Sequence, residues 1–174
     1  TGCVAGAIAC ATVTMPGGIT GPGSLTKADA GTLVLAAGNT FSGAFSATAG
    51  TVSIPAGSSL GIGATPIALS NAATLEYTGA TGYSTSRGLT LTSINGGQLE
   101  IVSSAGSVTL SGELAGPDSI FTKRGGGTFT MNAPATVNGI TLAGGVYRQT
   151  AGVTKINSIS TGLSIATGTE YRLE

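Results

Sequence analysis

The chain contains no histidine. That removes most nucleophilic triads, histidine-based metal sites and the commonest proton-transfer side chain. What remains for catalysis is a pair of carboxylates, of the kind polysaccharide-cleaving enzymes use. There are two aspartates, Asp29 and Asp118, and five glutamates. Asp118 follows Gly116-Pro117, where a turn favours it. Glu76 and Glu100 each alternate with apolar residues on segments that can be neighbours in a stacked fold. They read as an acidic patch or as two solvated outward positions, and the plainer second reading is favoured. A calcium-dependent lyase needs several clustered aspartates, and two separated ones do not supply them. No cofactor or metal is expected.

Other constellations carry less chemistry. Lys123-Arg124-Gly125-Gly126-Gly127-Thr128 has the glycines of a phosphate loop without the Gly-Lys-Ser/Thr order. Those glycines read better as a tight corner. Arg87, Arg148 and Arg172 are scattered. Phe41, Tyr77, Tyr83 and Tyr147 either line a sugar-binding face or are buried, burial being the commoner fate. Cys3 and Cys10 lie opposite each other if Gly6-Ala7 makes a two-residue turn. They form a disulfide in an oxidising compartment, with some distortion in a hydrogen-bonded register, or remain two small buried thiols.

The elements that must position these residues are repetitive. Leu25-Thr26-Lys27 is followed by Gly31-Thr32-Leu33, and Thr122-Lys123 by Gly127-Thr128-Phe129. The two lysines are 96 residues apart. Internal repetition points to a solenoid of stacked rungs. Apolar and polar residues alternate with period two throughout, which means strands with one face inward. Leu33, Leu35, Val52, Ile54, Leu75, Tyr77, Leu89, Leu91 and Leu99 are expected inside. Ile101, Val108, Leu110, Phe129, Met131, Ile140, Leu142, Leu163 and Ile165 complete that core. Leu33, Val52, Leu75 and Leu99 are spaced by 19, 23 and 24 residues, about one turn of a three-faced β-helix. The fold class expected is all-β, a single-domain β-solenoid of roughly seven or eight rungs, about 35–40 Å long at ~4.8 Å per rung. A β-sandwich of antiparallel hairpins is the alternative.

Only 8% of residues are charged and the formal net charge is zero. Nothing electrostatic therefore recruits nucleic acid or an anionic membrane. Glycine supplies 30 of the 174 residues, well above the usual ~7%. An apolar fraction of 41% with regular alternation argues for a packed fold over disorder. The stretch Cys3–Met15 is too short for a membrane span. The chain opens at Thr1 without a basic leader, which reads as a processed protein or an excised segment.

The run Leu25-Thr26-Lys27, Gly31-Thr32-Leu33-Val34-Leu35, Asn39-Thr40-Phe41-Ser42-Gly43, Gly50-Thr51-Val52 and Leu60-Gly61 resembles the autotransporter-associated β-strand repeat. It departs from that pattern at Asp29-Ala30, Phe41 and Ala44-Phe45. The resemblance covers residues 21–63 and returns at 117–131 without the Asn-Thr-aromatic element. It implies a right-handed β-helical passenger of a secreted bacterial surface protein. It carries over no catalytic residue.

The organisation expected is an N-terminal cap or strand-donating arm over 1–20, with Val4, Ile8 and Val13 as its apolar face. The β-solenoid then runs over 21–174 as two diverged repeats, about 21–115 and 116–174. The function expected is an extracellular, non-catalytic structural protein: a stalk or adhesin segment, or a subunit of a self-assembling filament. Its partners would be copies of itself end to end, or flanking repeats of a longer chain, with a cell-surface glycan as a further candidate. A polysaccharide-binding or polysaccharide-cleaving β-helix is the alternative, and it would lose turnover on Glu76→Gln or Glu100→Gln.

Overall fold

The computed structural model describes residues 11–36, 38–157 and 162–173. Its strands stack into three parallel ladders, one per face of a coil. The first ladder contains β1 (Thr12–Met15), β3 (Thr32–Leu35), β5 (Thr51–Ile54), β7 (Ala73–Tyr77) and β10 (Gly97–Ile101), then part of β12 (Leu114–Arg124), part of β14 (Ala135–Leu142), and β17 (Leu163–Ile165). The second contains β2 (Leu25–Lys27), β4 (Phe45–Ala47), β6 (Ile67–Leu69) and β9 (Leu89–Leu91), the opening residues of β12 and β14, and β16 (Thr154–Ile156). The third contains β8 (Gly82–Thr85), β11 (Ser107–Leu110), β13 (Thr128–Met131), β15 (Val146–Gln149) and β18 (Glu170–Leu173). The chain visits the faces in turn, so each strand pairs with one from the next turn of the coil. Among the described residues every strand pairing is parallel. That pattern excludes the antiparallel sandwich and gives a β-solenoid of about seven turns.

The spacing seen in sequence is the register. Leu33 pairs with Val52, Val52 with Leu75, and Leu75 with Leu99. The same inward column begins at Val13 and continues through Lys123, Leu142 and Ile165. The column beside it points outward and reads Thr12, Thr32, Thr51, Thr74, Gln98, Thr122, Thr141, Ser164. Threonine suits it because a β-branched side chain packs on a pleated, half-solvated face.

The core is the inside of the coil. It takes in most of the expected residues, and also Phe41, Phe45, Leu60, Ile67, Leu69, Leu114, Phe121, Val137 and Tyr147. Leu163 and Ile165 are a correction: they are 42% and 47% exposed. They share columns with the buried Ile140 and Leu142, so their direction is inward. They lie on the last described rung of that ladder, where no further strand covers them. In the third ladder Phe129, Tyr147 and Tyr171 are register partners, Phe129 meeting Tyr147 edge-on and Tyr171 stacking on it. Their centroids are 5.5 and 5.0 Å apart.

Two features of the register bear on organisation. β1 is paired to β3 as an ordinary rung, so the coil reaches back at least to Thr12, and Val13 belongs to it. The two Thr-Lys blocks do not superpose as rungs. Lys27 ends a strand of the second ladder and leads into the first, whereas Lys123 lies in the first and leads into the third. The block is a corner unit used at two different corners, and a boundary at 115/116 falls inside β12.

Corners must turn tightly without holding the rungs apart. Gly96 has φ of +58°, and a Cβ there would lie 1.7 Å from the carbonyl oxygen of Ile120 on the next rung. Its own N–H donates to Ser93 O at 2.8 Å, closing the turn. The substitution Gly96→Ala therefore combines left-handed strain, about 1–2 kcal/mol, with a clash against backbone. It is expected to lower the unfolding free energy by at least about 2 kcal/mol, measured by urea denaturation.

Candidate functional site

The residues that define the repeat are fastenings between rungs. The ammonium of Lys123 donates to three carbonyl oxygens: Arg124 at 2.6 Å, Gly125 at 2.9 Å and Gly144 at 3.0 Å. The first two lie in its own corner and the third in the corner one turn on. Lys27 repeats the arrangement on Ala28 (2.8 Å), Asp29 (2.6 Å) and Ala49 (3.2 Å). An ammonium has three donors, and three carbonyls use all of them. Lys123 is fully buried in a column of leucines, whereas Lys27 is half-buried. Burial pushes the Lys123 ammonium down to about 8, and the Glu100 charge opposes that shift.

Asp29 occupies the left-handed position (φ +60°) that Gly125 (φ +73°) takes in the second block, so the departure from the repeat pattern at residue 29 leaves the corner geometry intact. No helix follows the Gly125-Gly126-Gly127 run. Strand β13 begins at Thr128, which disposes of the phosphate-loop reading.

Asn39 fastens three turns at once. Its Oδ1 accepts from the Ile19 N–H at 2.8 Å, and its Nδ2 donates to Ala36 O at 2.9 Å and to Ser59 O at 2.7 Å. Residues 19, 39 and 59 are one rung apart each. Beside it, Thr40 N–H donates to Ile19 O, Phe41 fills the core, and a Cβ on Gly43 would meet Gly23 O at 2.3 Å. Each element of the Asn-Thr-Phe-Ser-Gly signature thus serves stacking.

Sequence reasoning missed two further buried fastenings. The Arg87 guanidinium donates to Thr65 O and Leu60 O, both at 2.7 Å, tying down an irregular segment of the preceding rung. Gln149 accepts from Tyr147 and Thr154 and donates to the carbonyls of Ala133 and Ala151. Alternation in Val146-Tyr147-Arg148-Gln149 already puts Gln149 inward. Lys123 was equally accessible, lying 24 residues beyond Leu99 in the same column. Nothing local marks Arg87.

The four aromatics follow the commoner of their two expected fates. Phe41, Tyr77 and Tyr147 are buried, and Tyr83 is partly buried, because all four face into the coil. Burial also raises the Tyr147 and Tyr83 hydroxyl pKa values. Glu76 and Glu100 are direct register partners, with Arg124 next in the column. Both are half-solvated on the open outer face. Cys3, Val4, Ile8 and Cys10 lie outside the described residues.

Two surface features remain. A groove of about 380 Å³ runs along one outer corner, lined by Thr32, Thr51, Thr74, Gln98, Asn71 and Arg124 among others. Glu76 and Glu100 do not line it. The two ends of the described coil are apolar. Val13 and Met15 are exposed at one, and Leu163, Ile165 and Leu173 at the other. Tyr171 lies nearly flat against Tyr147, with 10° between the rings.

Residues 25–54, which hold the Lys27 clamp and the Asn39 bracket, match the model of the passenger-associated transport repeat. The chain carries an autotransporter-associated repeat. Over 179 aligned residues it is also 34% identical to the adhesin BmaC autotransporter of Brucella suis biovar 1 (strain 1330). That match takes in 90% of this chain and 5% of the length of that much longer protein. No solved structure matches the chain. The repeat's conspicuous residues are explained by the fastenings above.

A buried carbonyl left without a donor costs about 1–3 kcal/mol. Lys123→Met strands three of them, so a loss of about 3 kcal/mol or more is expected in equilibrium unfolding. Lys27→Met should cost distinctly less, since water reaches that corner. Asn39→Leu should match Lys123→Met, because it orphans one donor and two acceptors around a buried side chain.

Proposed function

We propose that the chain is a segment of a secreted, surface-displayed rod that spaces and presents, and catalyses nothing. The observation that carries this reading is the uninterrupted register of the inward columns, which run to exposed apolar residues at both ends of the described coil. A solenoid end presents unpaired strand edges and an uncovered core. Such an end calls for another rung. In a longer chain, flanking repeats supply it, and the similarity to a small fraction of a long adhesin supports that arrangement. In an isolated subunit, a second copy supplies it, giving a filament. The ends suit each other: Ser164 and Ile165 at one carry the same column chemistry as Thr12 and Val13 at the other.

The absence of histidine and the position of Glu76 and Glu100 on an open, solvated face support a non-catalytic role. Resemblance to an autotransporter passenger supports the cell surface as the location, and the relative's name supports adhesion as the use.

Negative-stain electron microscopy across concentrations tests the proposal. The purified chain is expected to lengthen into linear rods in steps of about 35–40 Å, the length of roughly eight rungs. Ile165→Lys should return single rods by burying a charge at the junction. Single rods at every concentration would remove the filament form. A tandem fusion of two copies then decides the stalk form: one continuous rod supports it, and two separated beads sink it.

A further inference from the structure

We infer that the outer groove is a binding site for an extended neutral oligosaccharide lying parallel to the rod axis. Thr32, Thr51, Thr74 and Gln98 are successive members of one outward column, and Arg124 stands on the next strand. The groove therefore spans five rungs, about 19 Å at ~4.8 Å each. Among the described residues, no hydrogen bond occupies the hydroxyls of Thr32, Thr51 or Thr74. The groove thus offers a free hydroxyl at each of three successive rungs, both donor and acceptor. Gln98 Oε1 accepts from Arg124 Nη1 at 3.0 Å, which holds both side chains over the groove and leaves the amide N–H groups of Gln98 free. A regular row of polar groups along an axis complements a chain of sugars, whose hydroxyls recur along one edge.

The corner that leads into Thr74 is strained. Asn71 and Ala72 have φ of +50° and +58°, where glycine is the usual residue. The corner one rung later uses Gly96, also at φ +58°, at the position in register with Ala72. Ser70 O accepts from Ala73 N–H at 2.9 Å, closing this turn. Asn71 is anchored by its N–H on Ser93 Oγ at 2.7 Å and by its Nδ2 on Thr48 O at 3.2 Å. Its Oδ1 faces no partner among the described residues. Strain retained where glycine would relieve it marks positions kept for another purpose. Here it sets an acceptor in the same groove as the row of hydroxyls.

The groove lining is mostly uncharged: among the described residues Arg124 is its one charged side chain, and its guanidinium is bonded to the neutral Gln98. The groove carries no aromatic platform, so affinity must accumulate sugar by sugar.

Titration of the isotopically labelled chain with cellohexaose, chitohexaose and hexagalacturonate, followed by NMR, tests this. At least one neutral hexamer should give saturable shifts at Thr32, Thr51, Thr74 and Gln98, and should bind at least tenfold tighter than its dimer. Thr51→Val and Thr74→Val keep the β-branched shape, and an unchanged melting temperature confirms the fold. Each should weaken binding severalfold. The inference is overturned by no saturable shift with any hexamer, shifts confined to other faces, preference for hexagalacturonate, or valine variants that bind as well as the parent. The rod reading does not depend on this site and survives its failure.

Discussion

Parallel rungs can stack only if the corners between them are satisfied. Along a ladder, each backbone N–H and C=O finds a partner on the next turn. At a corner the chain changes direction, the ladder lapses, and carbonyl oxygens converge with no amide to meet them. At the Lys123 corner three such oxygens point at one spot inside the protein. A single ammonium answers all three. Two of those oxygens belong to the lysine's own turn and one to the next, so the same group that closes a corner also joins two rungs. The cost of burying a charge is offset because all its donors are used.

The remaining buried polar groups follow the same logic. Asn39 reaches one rung back and one rung forward in addition to its own. Arg87 holds a segment where the third face has not yet become a strand. Gln149 links a buried tyrosine to two corner carbonyls. Each stands where regular pairing fails, and none is paired with a buried carboxylate among the described residues. Hydrophobic columns supply the bulk of the driving force, and these few polar groups make one stacking register preferable to its neighbours.

Such a construction has no natural end. Every rung is both a lid for the one before and a platform for the one after. Its inward columns therefore carry no information about length, and the outer faces are free to vary. That separation accounts for a family signature rich in clamps and turns, while the groove takes Thr32 and Thr51 from inside the signature and Thr74, Gln98 and Arg124 from beyond it. It also explains why the outward threonine column is regular: the register imposed inside is copied outside at each turn.

Much of this was legible in the residues. Period-two alternation identified the strands and most of the core. The intervals between Leu33, Val52, Leu75 and Leu99 were the register itself, because parallel stacking converts sequence spacing directly into vertical neighbours. The Thr-Lys and Gly-Thr pairs identified the corner unit. What the sequence could not decide was which corner each unit occupies. Lys27 and Lys123 share local chemistry, but the path around the coil between them depends on loop lengths that vary from turn to turn. Nor could it decide which apolar residues end up exposed. Leu163 and Ile165 alternate like any core pair, yet a column's last member is covered only if another rung follows. The burial of Phe41 and Tyr147, and the row of free hydroxyls beside Asn71, likewise arise from stacking. A single strand specifies its two faces by itself. Which face is enclosed, and what lies above and below it, is settled only when the turns close on one another.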